Sequence, residues 1–138
     1  MDWGIAGGSL STLPNFIAYL ATSVVLVAAF LAVYTAMTPH REWALIRGGN
    51  VAASLSLGGA LIGFCLPLAS VVAHSSLLID VAIWGLIALF VQLAVWWVVE
   101  KTVGGLAARV ERGEVAAGIF LAMTSLAAGV VNAACMTY

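Results

Sequence analysis

Gly49-Asn50-Val51-Ala52-Ala53 returns 64 positions further on as Gly113-Glu114-Val115-Ala116-Ala117. Each pentad follows a short polar segment and opens a long apolar stretch. The chain therefore reads as one helical hairpin written twice, and self-similarity at a fixed period bears on architecture before any single residue is interpreted.

The stretches flanking the pentads are too apolar for a water-soluble fold. Hydrophobic residues make up 64% of the 138 positions and charged residues 8%, against about 45–50% and about 25% in ordinary soluble domains. A body this small has too much surface to hide that excess, so lipid must solvate its exterior. The formal net charge of −1 excludes a basic nucleic-acid footprint, and five Lys plus Arg residues are too few for a polybasic lipid-binding tail. The fold class is an all-α membrane protein: four transmembrane helices arranged as two tandem, parallel helical-hairpin repeats, joined by short interfacial helices.

The segment before the first apolar run has no positive charge and no convincing cleavage site, so that run is read as a retained span, from about Phe16 to Ala36. At 1.5 Å per residue it reaches roughly 30 Å, the thickness of the hydrocarbon core. In the polar segment 37–49, Thr38 suits a helix cap, Pro39 the first helical position and Gly48-Gly49 a left-handed terminus. Trp43, Leu45 and Ile46 beside His40, Arg41, Glu42 and Arg47 describe a short helix lying in the membrane interface. The second span, about 50–73, carries Ser56, Gly59 and Gly63 along one stripe, and Pro67, expected to kink it. A tight turn with His74 leads to the third span, about 78–99, ending in Trp96 and Trp97 at headgroup level. Residues 100–113 repeat the first polar segment, and the fourth span bears Gly118, Ala122, Ser125 and Gly129 as a second stripe. The whole of 1–138 forms a single membrane domain, with one repeat over about 14–73 and the other over about 78–138.

Arg41 and Arg47 lie in the first polar segment, Lys101, Arg109 and Arg112 lie in or beside the second, and the remaining loops and ends have no Lys or Arg. The positive-inside rule then places loops 37–49 and 101–113 in the cytoplasm and both termini outside. Both repeats run the same way through the bilayer, unlike the inverted repeats of many transporters.

The residues also carry a resemblance. Thr38-Pro39-His40-Arg41-Glu42-Trp43, Asn50-Val51-Ala52-Ala53-Ser54-Leu55, Pro67-Leu68, Trp84-Gly85, Gln92-Leu93, Ala116-Ala117-Gly118 and Asn132-Ala133-Ala134-Cys135-Met136-Thr137-Tyr138 together resemble the YjfL-like family of small bacterial inner-membrane proteins. The resemblance covers nearly the whole chain and departs at Tyr138, where Trp is expected. It implies a four-span, multi-pass protein of the bacterial inner membrane, of unknown function, with no assigned substrate, cofactor or catalytic residue. Members are often encoded beside relatives of the phage-shock type of membrane-stress protein, which implies a link to membrane stress.

Polar residues inside the spans are the candidates for chemistry, because burying them in lipid is costly. Asp80, at the start of the third span, is either a cap at the positive end of its helix or an ion- or proton-handling group. Gln92 lies three turns deeper and reads as inter-helix glue or as a pore contact. Asn132 and Pro67 fall at nearly the same depth in their repeats, near the level of Asp80, with Ser70 within another turn. Asp80, Asn132, Pro67 and Ser70 are therefore expected to form an intramembrane polar cluster, the alternative being that Asn132 only satisfies backbone freed by Pro67. His40, Glu42 and Trp43 are expected to form a cytoplasmic contact, the alternative being a solvated face. Cys65 and Cys135 have no metal-ligand spacing, no phosphate-binding or hydrolase motif occurs, and neither metal nor cofactor is expected.

These readings lead to a non-enzymatic, homo-oligomeric membrane component or adaptor for a cytoplasmic protein partner. Its motivation is that the stripes on the second and fourth spans exceed what one four-helix bundle needs, while both polar segments face one side. The alternative is a small ion or solute channel or transporter using Asp80, Gln92 and Asn132.

Overall fold

A computed structural model describes residues 3–39 and 41–136; His40 and Tyr138 lie outside the described residues. The order is α1 (Trp3–Leu10), α2 (Leu13–Met37), α3 (Glu42–Arg47), α4 (Val51–His74), α5 (Leu78–Val103), α6 (Leu106–Glu111) and α7 (Val115–Cys135). Four apolar stretches are long enough to cross a membrane: Gly7–Met37, Val51–His74, Leu78–Val103 and Val115–Cys135.

The helix ends follow from local backbone chemistry. Thr38 precedes proline, which disfavours helical backbone, and its ψ of 137° is extended. Its N–H donates to the Tyr34 carbonyl at 3.1 Å, so Thr38 closes α2 instead of opening the next helix, correcting the expected cap. The interfacial helix α3 begins only at Glu42, three residues beyond Pro39. At its far end Gly49 takes a φ of +84°, its N–H bonds the Ile46 carbonyl at 3.0 Å, and the Asn50 N–H bonds the Leu45 carbonyl at 2.9 Å. Gly113, at +79°, does the same with Val110 at 2.9 Å, and Glu114 with Arg109 at 3.0 Å. Glycine tolerates this left-handed corner, and both pentads open on the same helix-ending motif.

The centre of the bundle is α4, which packs most extensively against α7 and also meets α2, α3, α5 and α6. Half of the most apolar window of α4 is buried, against 6% of that of the first span. The α4–α7 contact is made backbone to backbone. A Cβ built on Gly59 would lie under 3.0 Å from Ala122, one on Gly118 under 3.0 Å from Ala52, and one on Gly129 under 3.0 Å from Gly63. The two small-residue stripes therefore face each other within one chain. This overturns the argument that they are surplus to a single bundle, because Ser56, Gly59, Gly63, Gly118, Ala122, Ser125 and Gly129 are buried in it.

Pro67 sits inside α4, and the helix continues through it to His74. Proline has no N–H, so the Gly63 carbonyl loses its usual partner. A Cβ on Gly129 would fall under 3.0 Å from that carbonyl oxygen, so glycine is what lets α7 come this close to it. On the other side of α4, Phe30 stacks on Phe64 with centroids 4.5 Å apart and planes 3° from parallel. Leu26, Phe30 and Tyr34, one turn apart, form the inward edge of α2, and Leu26 enters a notch left by Gly85 of α5.

Candidate functional site

The polar side chains lie at three depths, and at each depth most of them hold backbone groups. At the end carrying α3 and α6, Asn50 uses both halves of its carboxamide. Its Oδ1 accepts from the Ala53 N–H at 2.9 Å, capping α4, while its Nδ2 donates to the Val110 carbonyl at 2.8 Å and the Glu111 carbonyl at 3.3 Å, closing α6. Glu114 occupies the matching place before α7 but makes no cap bond. Its carboxylate pairs with Arg109 and Arg112, which hold it below the usual carboxylate range. Glu100 reaches past the Gly104-Gly105 corner to accept from the Ala107 N–H at 3.1 Å, and the Lys101 ammonium lies 5.9 Å from the Trp97 ring centre.

Of the expected cytoplasmic contact, Trp43 is 47% exposed, whereas Glu42 is 1% exposed. The Glu42 carboxylate lies close enough to act on the Tyr34 phenol, beside Ser56, all three being buried. Glu42 is therefore no surface contact. A two-turn helix docked flat on α4 turns one side inward whatever its composition, and Glu42 starts on that side.

At mid-depth Gln92 is 1% exposed, and its Nε2 donates to the Ser125 carbonyl at 3.1 Å, tying α5 to α7 beside Gly63. Gln92 Oε1 and, one turn along α5, the Trp96 indole N–H are buried with no partner among the described residues. Gln92 thus joins helices by one hydrogen bond and leaves an acceptor unused.

At the far end Asp80 accepts from the Ser75 hydroxyl at 3.3 Å, in the turn that also bonds the Tyr19 hydroxyl to the Ser75 carbonyl at 3.2 Å. Ser70 donates to the Ala133 carbonyl at 3.5 Å, and His74 Nδ1 to the Ser70 carbonyl at 2.8 Å. Asn132 Nδ2 is buried and, among the described residues, unpartnered. Of the expected cluster of Asp80, Asn132, Pro67 and Ser70, Ser70 meets α7 at Ala133, next to Asn132, whereas Asp80 bonds Ser75 in the turn and, among the described residues, has no hydrogen bond to Asn132. Cys65 and Cys135 are free thiols.

The Asn50 bridge and the burial of Glu42 escaped sequence reasoning. The one available signal was Leu26-Phe30-Tyr34, whose four-residue spacing marks an inward edge of α2 that stops one turn short of the α3 segment.

Taken together, the four apolar helices, the backbone-to-backbone core and the polar groups given over to joining helices define a small multi-pass helical membrane protein. Residues 8–136 match the family described as Domain of Unknown Function (DUF350), and the chain belongs to that family. It is 40% identical over 129 residues to the UPF0719 inner membrane protein YjfL of Escherichia coli (strain K12), covering 94% of this chain and 98% of that protein. It is 24% identical over 83 residues to the UPF0719 transmembrane protein YshE of Bacillus subtilis (strain 168), covering 60% of this chain and 62% of that one. No solved structure matches. The protein is a multi-pass inner-membrane protein of a family of unknown function, and neither relative's name carries an enzymatic activity.

Proposed function

We propose that the protein is a non-enzymatic membrane scaffold, a homo-oligomeric component or adaptor that presents α3 and α6 to a cytoplasmic protein partner, with a role in membrane stress. The observation that supports a scaffold over a conduit is the α4–α7 seam, where Gly59, Gly63, Gly118 and Gly129 leave no room for a methyl group, so that no hydrated ion passes between these two helices. The homo-oligomer part no longer draws on the α4 and α7 stripes. It draws on α2, which buries one edge through Leu26, Phe30 and Tyr34 and leaves Val24, Val25 and Val33 exposed. Both pentads enter this reading as tandem repeats of one hairpin, each ending its interfacial helix in the same glycine corner, with the loops inside and the termini outside.

Mass determination in lipid nanodiscs tests the oligomer: a mass of two or more chains across a range of protein-to-lipid ratios is expected, and a monomer throughout overturns it. Cysteine accessibility at position 43 tests orientation, since labelling from outside reverses it. The channel reading draws on the unpartnered Gln92 Oε1 and Asn132 Nδ2. Ion flux through protein-loaded liposomes under a potential would favour it over the scaffold.

A further inference from the structure

The groove between α2 and α3 combines features that belong together at a lipid headgroup. Its floor is made by the small side chains of Ala32, Thr35 and Ala36, its rim by Arg41, Trp43 and Arg47, and it encloses about 440 Å³. Both arginines are exposed and neither has a carboxylate within 4.0 Å among the described residues. Glu42 lines the same groove, but it is buried and stands close to the Tyr34 phenol. Arg47 Nε donates to the Trp43 carbonyl at 3.2 Å, which fixes one guanidinium over the rim and leaves its terminal nitrogens free to reach a phosphate. Trp43 and the end of α2 at Met37 place that rim at the depth where headgroups lie.

The second hairpin provides an internal comparison. There Arg109 and Arg112 are both taken up by Glu114, so the matching end offers no unpaired arginine. Unneutralised guanidinium charge above an apolar, small-residue channel occurs at α2–α3 alone among the described α3 and α6 ends.

We infer that the α2–α3 groove binds an anionic phospholipid, with Arg41 and Arg47 on the headgroup phosphate and an acyl chain running down α2 past Ala36 and Ala32. Charge complementarity selects the anionic headgroup, and the apolar floor selects a lipid over a free phosphate. The inference goes beyond the scaffold reading and holds whichever side of the membrane α3 faces.

The test is native mass spectrometry of the full chain released from nanodiscs of phosphatidylglycerol and phosphatidylcholine in equal parts, with thermal unfolding in the same lipids. Retention of phosphatidylglycerol over phosphatidylcholine is expected, falling roughly fivefold for Arg41→Gln or Arg47→Gln and roughly 25-fold for the pair. Arg112→Gln, on the other hairpin, should leave the preference unchanged. Equal retention of both lipids, or a preference that survives the double substitution in folded protein, overturns the inference. Displacement of the bound lipid by millimolar inorganic phosphate would also overturn it, showing an anion site without lipid character. Because Arg41 and Arg47 are exposed, the double variant should melt like the parent in phosphatidylcholine, which separates lost lipid from lost fold.

Discussion

Replacing Gly129 by Ala puts a methyl group where no space exists. The added Cβ would lie under 3.0 Å from the Gly63 Cα, carbonyl carbon and carbonyl oxygen, all of them backbone atoms that cannot rotate away. The α4–α7 seam would have to open by several tenths of an ångström along its length, loosening Gly59 against Ala122 and the Gly63 carbonyl that Pro67 leaves without a helix partner. Overpacking of a tight core costs about 1–3 kcal/mol. Gly58→Ala is the matched control, since a Cβ there meets nothing within 4 Å and helix propensity favours Ala over Gly by up to about 1 kcal/mol. Reversible unfolding in mixed micelles, followed by helical signal, should show Gly129→Ala destabilised and Gly58→Ala unchanged or slightly stabilised. Equal effects of the two substitutions would refute the claim that α4 and α7 meet backbone to backbone.

The remaining predictions concern the polar groups. Asn50→Ala should cost about 1–2 kcal/mol by removing a helix cap, while Asn50→Asp, which keeps the acceptor for the Ala53 N–H but aims a carboxylate at the Val110 and Glu111 carbonyls, should be no better; full stability of the Asp variant in the same unfolding assay would show that donation to α6 is unimportant. Gln92→Leu should change stability by less than about 1 kcal/mol, because the Ser125 carbonyl keeps its helical partner and an unsatisfied acceptor is removed; a larger loss in the unfolding assay would mean that this hydrogen bond holds α5 to α7 more strongly than most in membranes. Glu114 has its carboxyl lowered in the fold by Arg109, Arg112 and their charge, so the unfolded chain binds the proton more readily. Its contribution is present above the ordinary carboxylate value of about 4.3 and fades as pH falls below it, a dependence that Glu114→Gln should abolish in a pH series of melts.

The four spans were legible in the sequence, and the azimuth of each was not. Each residue advances a helix by about 1.5 Å, so counting from the pentads places Pro67, Asn132 and Asp80 near one level. Whether they meet depends on the 100° turn per residue and on which helix stands opposite, which hydropathy does not encode in a chain apolar all round. Asp80 bonds Ser75 in the turn beyond the end of α4, and among the described residues no hydrogen bond joins it to Asn132. The stripes of α4 and α7 were legible for the same reason that their partners were not: small residues announce close approach without naming the other surface. Glu42 shows the limit of composition, since a charged residue on a short interfacial helix reads as exposed and is buried beside Tyr34. The glycine corners could be foreseen because a glycine, which takes a positive φ without steric penalty, ends the polar segment before both Asn50 and Glu114.

Pairing of α4 with α7 inside one chain is the claim on which the rest depends, and a cross-link reads it directly. In a background with Cys65 and Cys135 replaced by Ser, cysteines at Ser70 and Ala133, where a side chain now reaches the opposing backbone at 3.5 Å, are oxidised or bridged by a short thiol cross-linker in membranes. The structure predicts an internally linked monomer, unchanged when cysteine-free chains are co-expressed in excess. A covalent dimer that disappears on such dilution would show that α4 pairs with α7 of another chain and would contradict the account.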